Sequence, residues 1–220
     1  MRQDIDQIMS SASLEVFQDI TKRVGSVSLG ILTEKIGSGS TPRGANYEEA
    51  GVPFIRSQNV LWNKFSDKDL KFVSSTVHHR MSATEVRSGD VLLNITGASI
   101  GRSCCPPETI LPANVNQHVA IIRPKQKLES RFLMYWLTNP NTQRMINSLQ
   151  SGATRQALTR SQIAQFAIPL PDSSIQKQVV AHLDSTQESV DNLLDMLHED
   201  KETLHQVEQS ILERAFRGEL

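Results

Sequence analysis

Cysteine is almost missing from this sequence. The only two, Cys104 and Cys105, are adjacent; vicinal cysteines seldom close a disulfide, and no histidine or further cysteine lies at ligand spacing around them. That excludes a disulfide-built scaffold and leaves a zinc site without ligands, so the pair reads as core or turn residues in a reducing compartment. Long apolar runs are missing too: nothing approaches the roughly 18 to 20 residues that span a bilayer. The stretch from Met1 to Ile20 scatters Arg2, Asp4, Asp6, Glu15 and Asp19 among its hydrophobic residues, unlike a secretory signal. The expectation is a soluble, cytoplasmic protein with no membrane partner. Glycine and proline, finally, are absent from Ser173 to Arg217, which removes the two residues that most readily interrupt a helix.

That uninterrupted stretch carries a period of seven. Leu183, Thr186, Val190, Leu193, Leu197, Asp200, Leu204, Val207, Ile211 and Arg214 follow one another at alternating steps of three and four. The spacing predicts one long helix with a narrow apolar seam, which is buried only against a second helix. At 1.5 Å per residue such a helix measures roughly 65 Å, too long to lie on the core of so small a chain. It reads as a spacer, a dimerisation arm or both, with Leu183, Val190, Leu193, Leu197, Leu204, Val207 and Ile211 as the coiled-coil interface. Asp200 and Arg214 interrupt the seam, and a buried polar seam residue selects register and orientation at some cost in stability. An antiparallel partner helix would let both meet opposite charge.

A net charge of −1 conceals a division of charge along the chain. From Val24 to Leu170 there are 16 Lys plus Arg against 9 Asp plus Glu, whereas from Pro171 to Leu220 there are 4 against 11. The pattern is a basic body on an acidic stalk. A basic body suits a polyanion, and an acidic helix is repelled by one or held by a basic protein.

Along the chain, Ile5, Ile8, Met9, Val16, Phe17 and Ile20 predict one or two short amphipathic helices over residues 1–23. The character changes near Val27, where Gly, Pro, Ser, Thr and Asn clusters separate four short apolar runs, Val52–Ile55, Val91–Ile95, Val119–Ile122 and Phe166–Leu170. These read as strands bounded by turns. Ser130–Leu137 and Asn141–Leu149 carry helical spacing, with Pro140 at the start of the second, where its missing N–H does no harm. Pro169 and Pro171 extend the chain before Asp172, Ser173 or Ser174 caps the arm. The expectation is an α+β fold: a helical extension over 1–23, a mixed-sheet body over 24–171 and the long helix over 172–220.

Catalytic motifs fail on inspection. Gly97-Ala-Ser-Ile-Gly101-Arg102 follows an apolar run, but it has one residue too few between its glycines for a phosphate-binding loop and Arg where the lysine belongs; it reads as a turn between two strands. Thr138-Asn139-Pro140-Asn141 lacks the second proline and the aromatic of an amino-methyltransferase motif. Asp69-Leu70-Lys71 has no accompanying upstream carboxylate for metal-dependent hydrolysis. His78 and His79, if extended, point to opposite faces and share no ligand role. No enzyme, metal or cofactor is expected.

What is abundant is loop chemistry suited to bases and phosphates: Gly37-Ser-Gly-Ser-Thr-Pro-Arg43, Arg56-Ser-Gln-Asn59, Asn114-Val-Asn-Gln-His118 and Gly152-Ala-Thr-Arg-Gln156. Arg binds guanine bidentately and Asn or Gln binds adenine. The succession Gly39-Ser-Thr-Pro42, Val52-Pro-Phe-Ile-Arg56, Gly89-Asp-Val-Leu-Leu93, Gly97–Arg102, Asn116-Gln117, Gly152-Ala-Thr-Arg-Gln-Ala-Leu-Thr159, Ile168-Pro-Leu-Pro171 and Ala215-Phe-Arg-Gly-Glu-Leu220 resembles the specificity subunits of type I restriction-modification enzymes. The resemblance implies a target-recognition domain that reads one half of a bipartite double-stranded DNA site. It also implies a conserved helix that spaces two such domains and docks methyltransferase subunits, with a restriction subunit as further partner. Family members usually carry two recognition domains and two conserved helices, whereas this chain has one of each and resembles a half-subunit: either a fragment or a natural half, expected to form a homodimer or to pair with another half encoded elsewhere. The family's acidic residue after the proline pair is not evident, since Asp172-Ser-Ser-Ile175 leads to Gln176.

The family supplies no base-reading residues, so the candidates come from chemistry. Arg43, Arg56, Gln58, Asn59, Arg155 and Gln156 are expected base or groove contacts, and Thr41, Lys64, Thr96, Ser99 and Arg102 are expected phosphate contacts. The competing expectation is a structural coiled-coil adaptor whose basic face is incidental, distinguished by failure to retain duplex DNA at low salt.

Overall fold

The computed structural model describes residues 2–41, 47–150 and 157–218. A 22-residue helix α1 (Arg2–Arg23) comes first. Then follow β1 (Ser26–Ser28), α2 (Leu29–Leu32), β2 (Thr33–Ser38), β3 (Val52–Ile55), β4 (Lys71–Val73), α3 (Ser75–Arg80), β5 (Glu85–Val86), β6 (Val91–Asn94) and β7 (Ser103–Cys104). The chain continues through β8 (Ala113–Val115), β9 (Val119–Pro124), α4 (Ser130–Thr138), α5 (Pro140–Ser148), α6 (Arg160–Ala164) and β10 (Ala167–Pro169) to α7 (Ser173–Phe216). The α+β class, the long carboxy-terminal helix and the four anticipated strands are all present. Of the one or two short helices anticipated at the amino terminus, one forms, and it is long: with neither glycine nor proline before Val24, nothing stops α1 at Ser10–Ser13.

Strands form two four-stranded sheets and one pair. Strands β2-β9-β6-β7 are antiparallel throughout. In β4-β3-β8-β5 the central pair β3–β8 is parallel and its neighbours are antiparallel, which makes the body a mixed-sheet one. Strands β1 and β10 pair with each other. One core cluster joins Leu92, Cys104, Val119 and Ile121 of the first sheet to Ile55, Val86, Ala113 and Val115 of the second. All four residues of β6 are buried, as expected of a strand covered on both faces, and Phe132 to Leu137 of α4 are buried as well.

The two sheets are also tied by charge. Asp90, fully buried at the start of β6, accepts two bonds of 2.7 Å from Arg123 Nε and Nη2 near the end of β9, and a third of 2.8 Å from the Arg87 amide. Arg123 Nη2 donates in turn to the Glu85 carbonyl of β5 at 3.3 Å, so one guanidinium bridges both sheets. This bond to Asp90 raises the Arg123 pKa. Burial, with repulsion from Arg123 second, lowers that of Lys35.

The chain forms two compact units, Ser13–Val180 and Met1–Ala12 with Ala181–Leu220, and both α1 and α7 contribute to each. In the first unit, α7 is rooted by Gln176, which is buried: its Nε2 donates to the Lys127 and Pro171 carbonyls at 3.0 and 2.9 Å while its Oε1 accepts from the Glu129 amide at 2.8 Å. An amide makes both kinds of bond and a carboxylate accepts only. Asp172 caps the helix, accepting from the Ile175 amide and the Ser174 hydroxyl at 3.0 and 2.6 Å. In the second unit Leu183 and Val190 are buried, whereas Leu193, Leu204, Val207, Ile211 and Phe216 are exposed.

Two outcomes follow. Asp90→Ala leaves the half-buried Arg123 guanidinium and the Arg87 amide without their acceptor and costs about 1–3 kcal/mol, read as a fall in thermal midpoint. The Ser174 and Ile175 bonds hold the Asp172 carboxyl below its ordinary value. The cap therefore stabilises above the unfolded pKa and is lost as pH falls through the folded one; the protection factor of the Ile175 amide against hydrogen exchange falls over that interval.

Candidate nucleic-acid interface

Polar loops leave neighbouring strand ends together. Gly39–Thr41 follows β2, Arg56–Asn59 follows β3, Thr96–Arg102 joins β6 to β7, and Asn116–His118 joins β8 to β9. They are bonded to one another. The Gly39 amide donates to Val119 O at 3.1 Å, Asn116 N to Ile55 O at 3.0 Å and Ile95 N to His118 O at 3.0 Å. The Thr41 hydroxyl donates to Gln117 Oε1, and Thr96 Oγ1 lies 2.7 Å from His118 Nδ1. Gly39 permits this closeness: a Cβ there would stand 1.9 Å from the Val115 carbonyl oxygen. Leu158 N adds a bond of 2.9 Å to Ile95 O, which anchors the chain after residue 157 to the same cluster.

Buried asparagines hold the loops from below. Asn94 Nδ2 donates to Ser57 O at 2.8 Å and Val60 O at 3.2 Å. Asn59 Oδ1 accepts from the Arg56 amide at 3.0 Å, and its Nδ2 donates to Ser66 O and Lys68 O at 2.9 and 3.1 Å. Asn114 Nδ2 donates to Met81 O at 3.0 Å, so its Oδ1, 2.7 Å from His78 Nδ1, is the acceptor and that histidine nitrogen carries the proton.

The sequence candidates divide accordingly. Asn59 is corrected from base contact to internal clamp, since it has no exposed surface and both ends of its amide are committed to its own loop. Arg56 is half-buried and donates from Nη2 to Asp69 O at 2.6 Å, bracing the same loop. Gln58, between them, is exposed, as are Thr41 and Lys64. Lys64 borders an open groove of about 600 Å³ lined also by Asp67, Glu108 and Arg131. Thr96, Ser99 and Arg102 share one half-buried turn, held by Gln143 Nε2 of α5 donating to Gly101 O at 2.9 Å, with φ +86° at Gly101. Arg43, Arg155 and Gln156 lie outside the described residues.

Other motifs resolve into structure. The Gly97–Arg102 segment is the expected connection between two antiparallel strands. Asn139 caps α5, accepting from Asn141 N at 2.9 Å and donating to Ser13 O at 2.8 Å. His78 and His79 lie on helix α3, not on an extended segment, with ring centroids 5.6 Å apart. Burial raises the Cys104 thiol pKa well above the ordinary thiol range, which makes it a poor nucleophile. No group of three or more His, Cys, Asp or Glu among the described residues is placed to hold a metal ion, and no described helix is long and apolar enough to cross a membrane. The residues missed in the sequence are Asn94, which follows an apolar run and looks like any turn former, and Trp62, which belongs to no motif.

The described residues thus combine hydrogen-bonded polar loops on a mixed-sheet α+β body with a long helix bearing an apolar seam. A model of the type I restriction modification DNA specificity domain matches residues 23–205, and the chain belongs to that family. It is similar to the EcoBI specificity subunit of Escherichia coli, 29% identical over 178 residues that make up 77% of this chain and 36% of that protein. It is 23% identical to the MjaVIII specificity subunit of Methanocaldococcus jannaschii over 189 residues, 84% of this chain and 44% of the other. The HsdS subunit from Thermoanaerobacter tengcongensis aligns with all of this chain and 52% of its own, with a TM-score of 0.68 and 26% identity. A chain from a study of complex assembly and conformational transition of the type I R-M system aligns with 55% of its length, TM-score 0.69 and 25% identity. The chain thus spans about half the length of those solved structures, and less of the curated relatives.

The clamp and the surface separate by experiment. Asn59→Ala removes three part-buried bonds and costs about 1–3 kcal/mol, whereas Gln58→Ala leaves the thermal midpoint within about 1 °C of the parent.

Proposed function

We propose that the chain is a non-catalytic DNA-recognition subunit of a type I restriction-modification system, reading one half of a bipartite site in duplex DNA and directing methyltransferase and restriction subunits to it. Residues 24–171 do the reading, and residues 172–220 set the spacing and dock partners. One observation carries this: the loops after β2, β3 and β6 and before β9 converge at one end of the strands and are bonded together, on a body with 16 basic against 9 acidic residues. Exposed Gln58 has the donor and acceptor that adenine presents in the major groove, and Thr41, Lys64 and Arg102 suit phosphate. Membership of a DNA specificity family supports the reading. Arg43, Arg155 and Gln156 remain proposed contacts on the chemistry of their side chains.

The second half-site calls for a second reader. Leu204 is 70% exposed, and Val207 and Ile211 are each 50% exposed, although they continue the seam of the buried Leu183 and Val190. An uncovered seam is completed by another helix. Val207 lies midway between Asp200 and Arg214, so a second copy running antiparallel about Val207 sets each Asp200 beside the partner's Arg214. The two-fold pair would read a pseudo-palindromic site.

Selection of bound duplexes from a randomised pool tests the reading: the expected outcome is an enriched short motif with affinity falling steeply as salt rises. Absence of retention at low salt, with the arm still pairing, makes the chain a structural adaptor instead. For the pairing, Asp200→Arg converts the dimer to monomer in light scattering and Asp200→Arg with Arg214→Asp restores it; a dimer indifferent to both changes excludes this register.

A further inference from the structure

Trp62 sits at the tip of a short hairpin and is 48% exposed. The tip is fixed on every side. Val60 and Phe65 form an antiparallel bridge, and Leu61 N donates to Lys64 O at 3.0 Å. Asn63 adopts φ 56°, a left-handed conformation that asparagine tolerates better than most residues. Its amide donates to Ser103 O at 3.0 Å and its Oδ1 accepts from the Thr138 hydroxyl at 2.6 Å. Behind the hairpin, Asn94 Nδ2 grips Val60 O, and Asn59 grips Ser66 O and Lys68 O. A large flat ring is therefore held out on a rigid support joined by hydrogen bonds to the loop cluster. Such a support lowers the ordering cost when the ring meets a partner.

The surroundings favour a polyanion. The segment from Arg56 to Lys71 carries Arg56, Lys64, Lys68 and Lys71 against Asp67 and Asp69. Arg102 immediately precedes the residue on which the tip rests, and no described residue bonds its guanidinium. We infer that Trp62 is a direct DNA contact, its indole face packed on an unstacked base edge or a deoxyribose and its N–H available to a phosphate or base acceptor. This rests on the DNA-recognition reading and adds a residue that chemistry-based selection of polar side chains passes over.

The chain provides its own probe. Its only other tryptophan, Trp136, is 7% exposed and packs against Phe166 at a centroid distance of 6.2 Å, so quencher-accessible emission belongs to Trp62. The test titrates full-length chain with a mixed-sequence duplex at low salt, following acrylamide quenching, in wild type, Trp62→Phe and Trp62→Ala. The expected result is that duplex shields the accessible emission, that this component is missing from Trp62→Phe, and that Trp62→Ala binds on the order of tenfold to a hundredfold more weakly. Trp62→Phe keeps the aromatic face and binds within a few-fold of wild type, which separates lost contact from lost folding. Binding with undiminished quenching and unchanged Trp62→Ala affinity overturns the inference while leaving the DNA reading intact. Trp62→Ala that binds duplex normally but no longer co-purifies with a methyltransferase subunit also overturns it, making the tip a protein contact. A wild-type chain that retains no duplex overturns both.

Discussion

Three asparagines without solvent exposure, Asn59, Asn94 and Asn114, hold this molecule's polar loops in place. A loop has no ladder of its own to satisfy its amides and carbonyls, and burying any of them unmet costs more than a made bond returns. A primary amide answers this economically, because it offers donors and an acceptor from one rigid plane. Asn59 serves both sides of one loop, Asn94 links the β6 end to the hairpin after β3, and Asn114 ties β8 to the end of α3.

That is also where the sequence is hardest to interpret. Strands β3, β6, β9 and β10, helices α4, α5 and α7, and the turn at Gly97–Arg102 were legible because each is long enough to show a period or is bounded by an unmistakable breaker. Strands β1, β4, β5, β7 and β8 have two or three residues each and show no alternation; tertiary pairing alone makes them strands. Asn59 was misassigned because an inward clamp and an outward reader have the same composition. Burial separates them, and burial is decided by the partner strand. Trp62 escaped notice for the opposite reason: an isolated aromatic in a sequence predicts core, and only the pinned hairpin turns it outward.

The arm shows how one pattern can hold two different states. Its seam keeps a single period from Leu183 to Ile211, yet the first part is buried and the later part is exposed. Periodicity records which face is apolar and carries no information on how far along the helix a cover reaches. Uncovered leucine, valine and isoleucine in register is a continuing cost in water, about 25 cal/mol for each Å² of apolar surface, and the 11 acidic residues from Pro171 onward keep that surface soluble without suiting it to a polyanion.

The frame has a consequence for specificity. Most bonds that join the loops to one another and to the strands use backbone groups, Gly39 to Val119, Asn116 to Ile55, Ile95 to His118, and the clamps aim their amides mainly at backbone carbonyls. Exposed side chains at the tips, such as Gln58 and Trp62, add little to that frame. Replacing such a residue therefore alters the pattern of donors and acceptors offered outward while leaving the loop path unchanged, whereas replacing a clamp alters the path of the loop it holds. A surface built in this way keeps its geometry while the groups it presents change, because the groups that fix shape and those that face outward lie on different side chains.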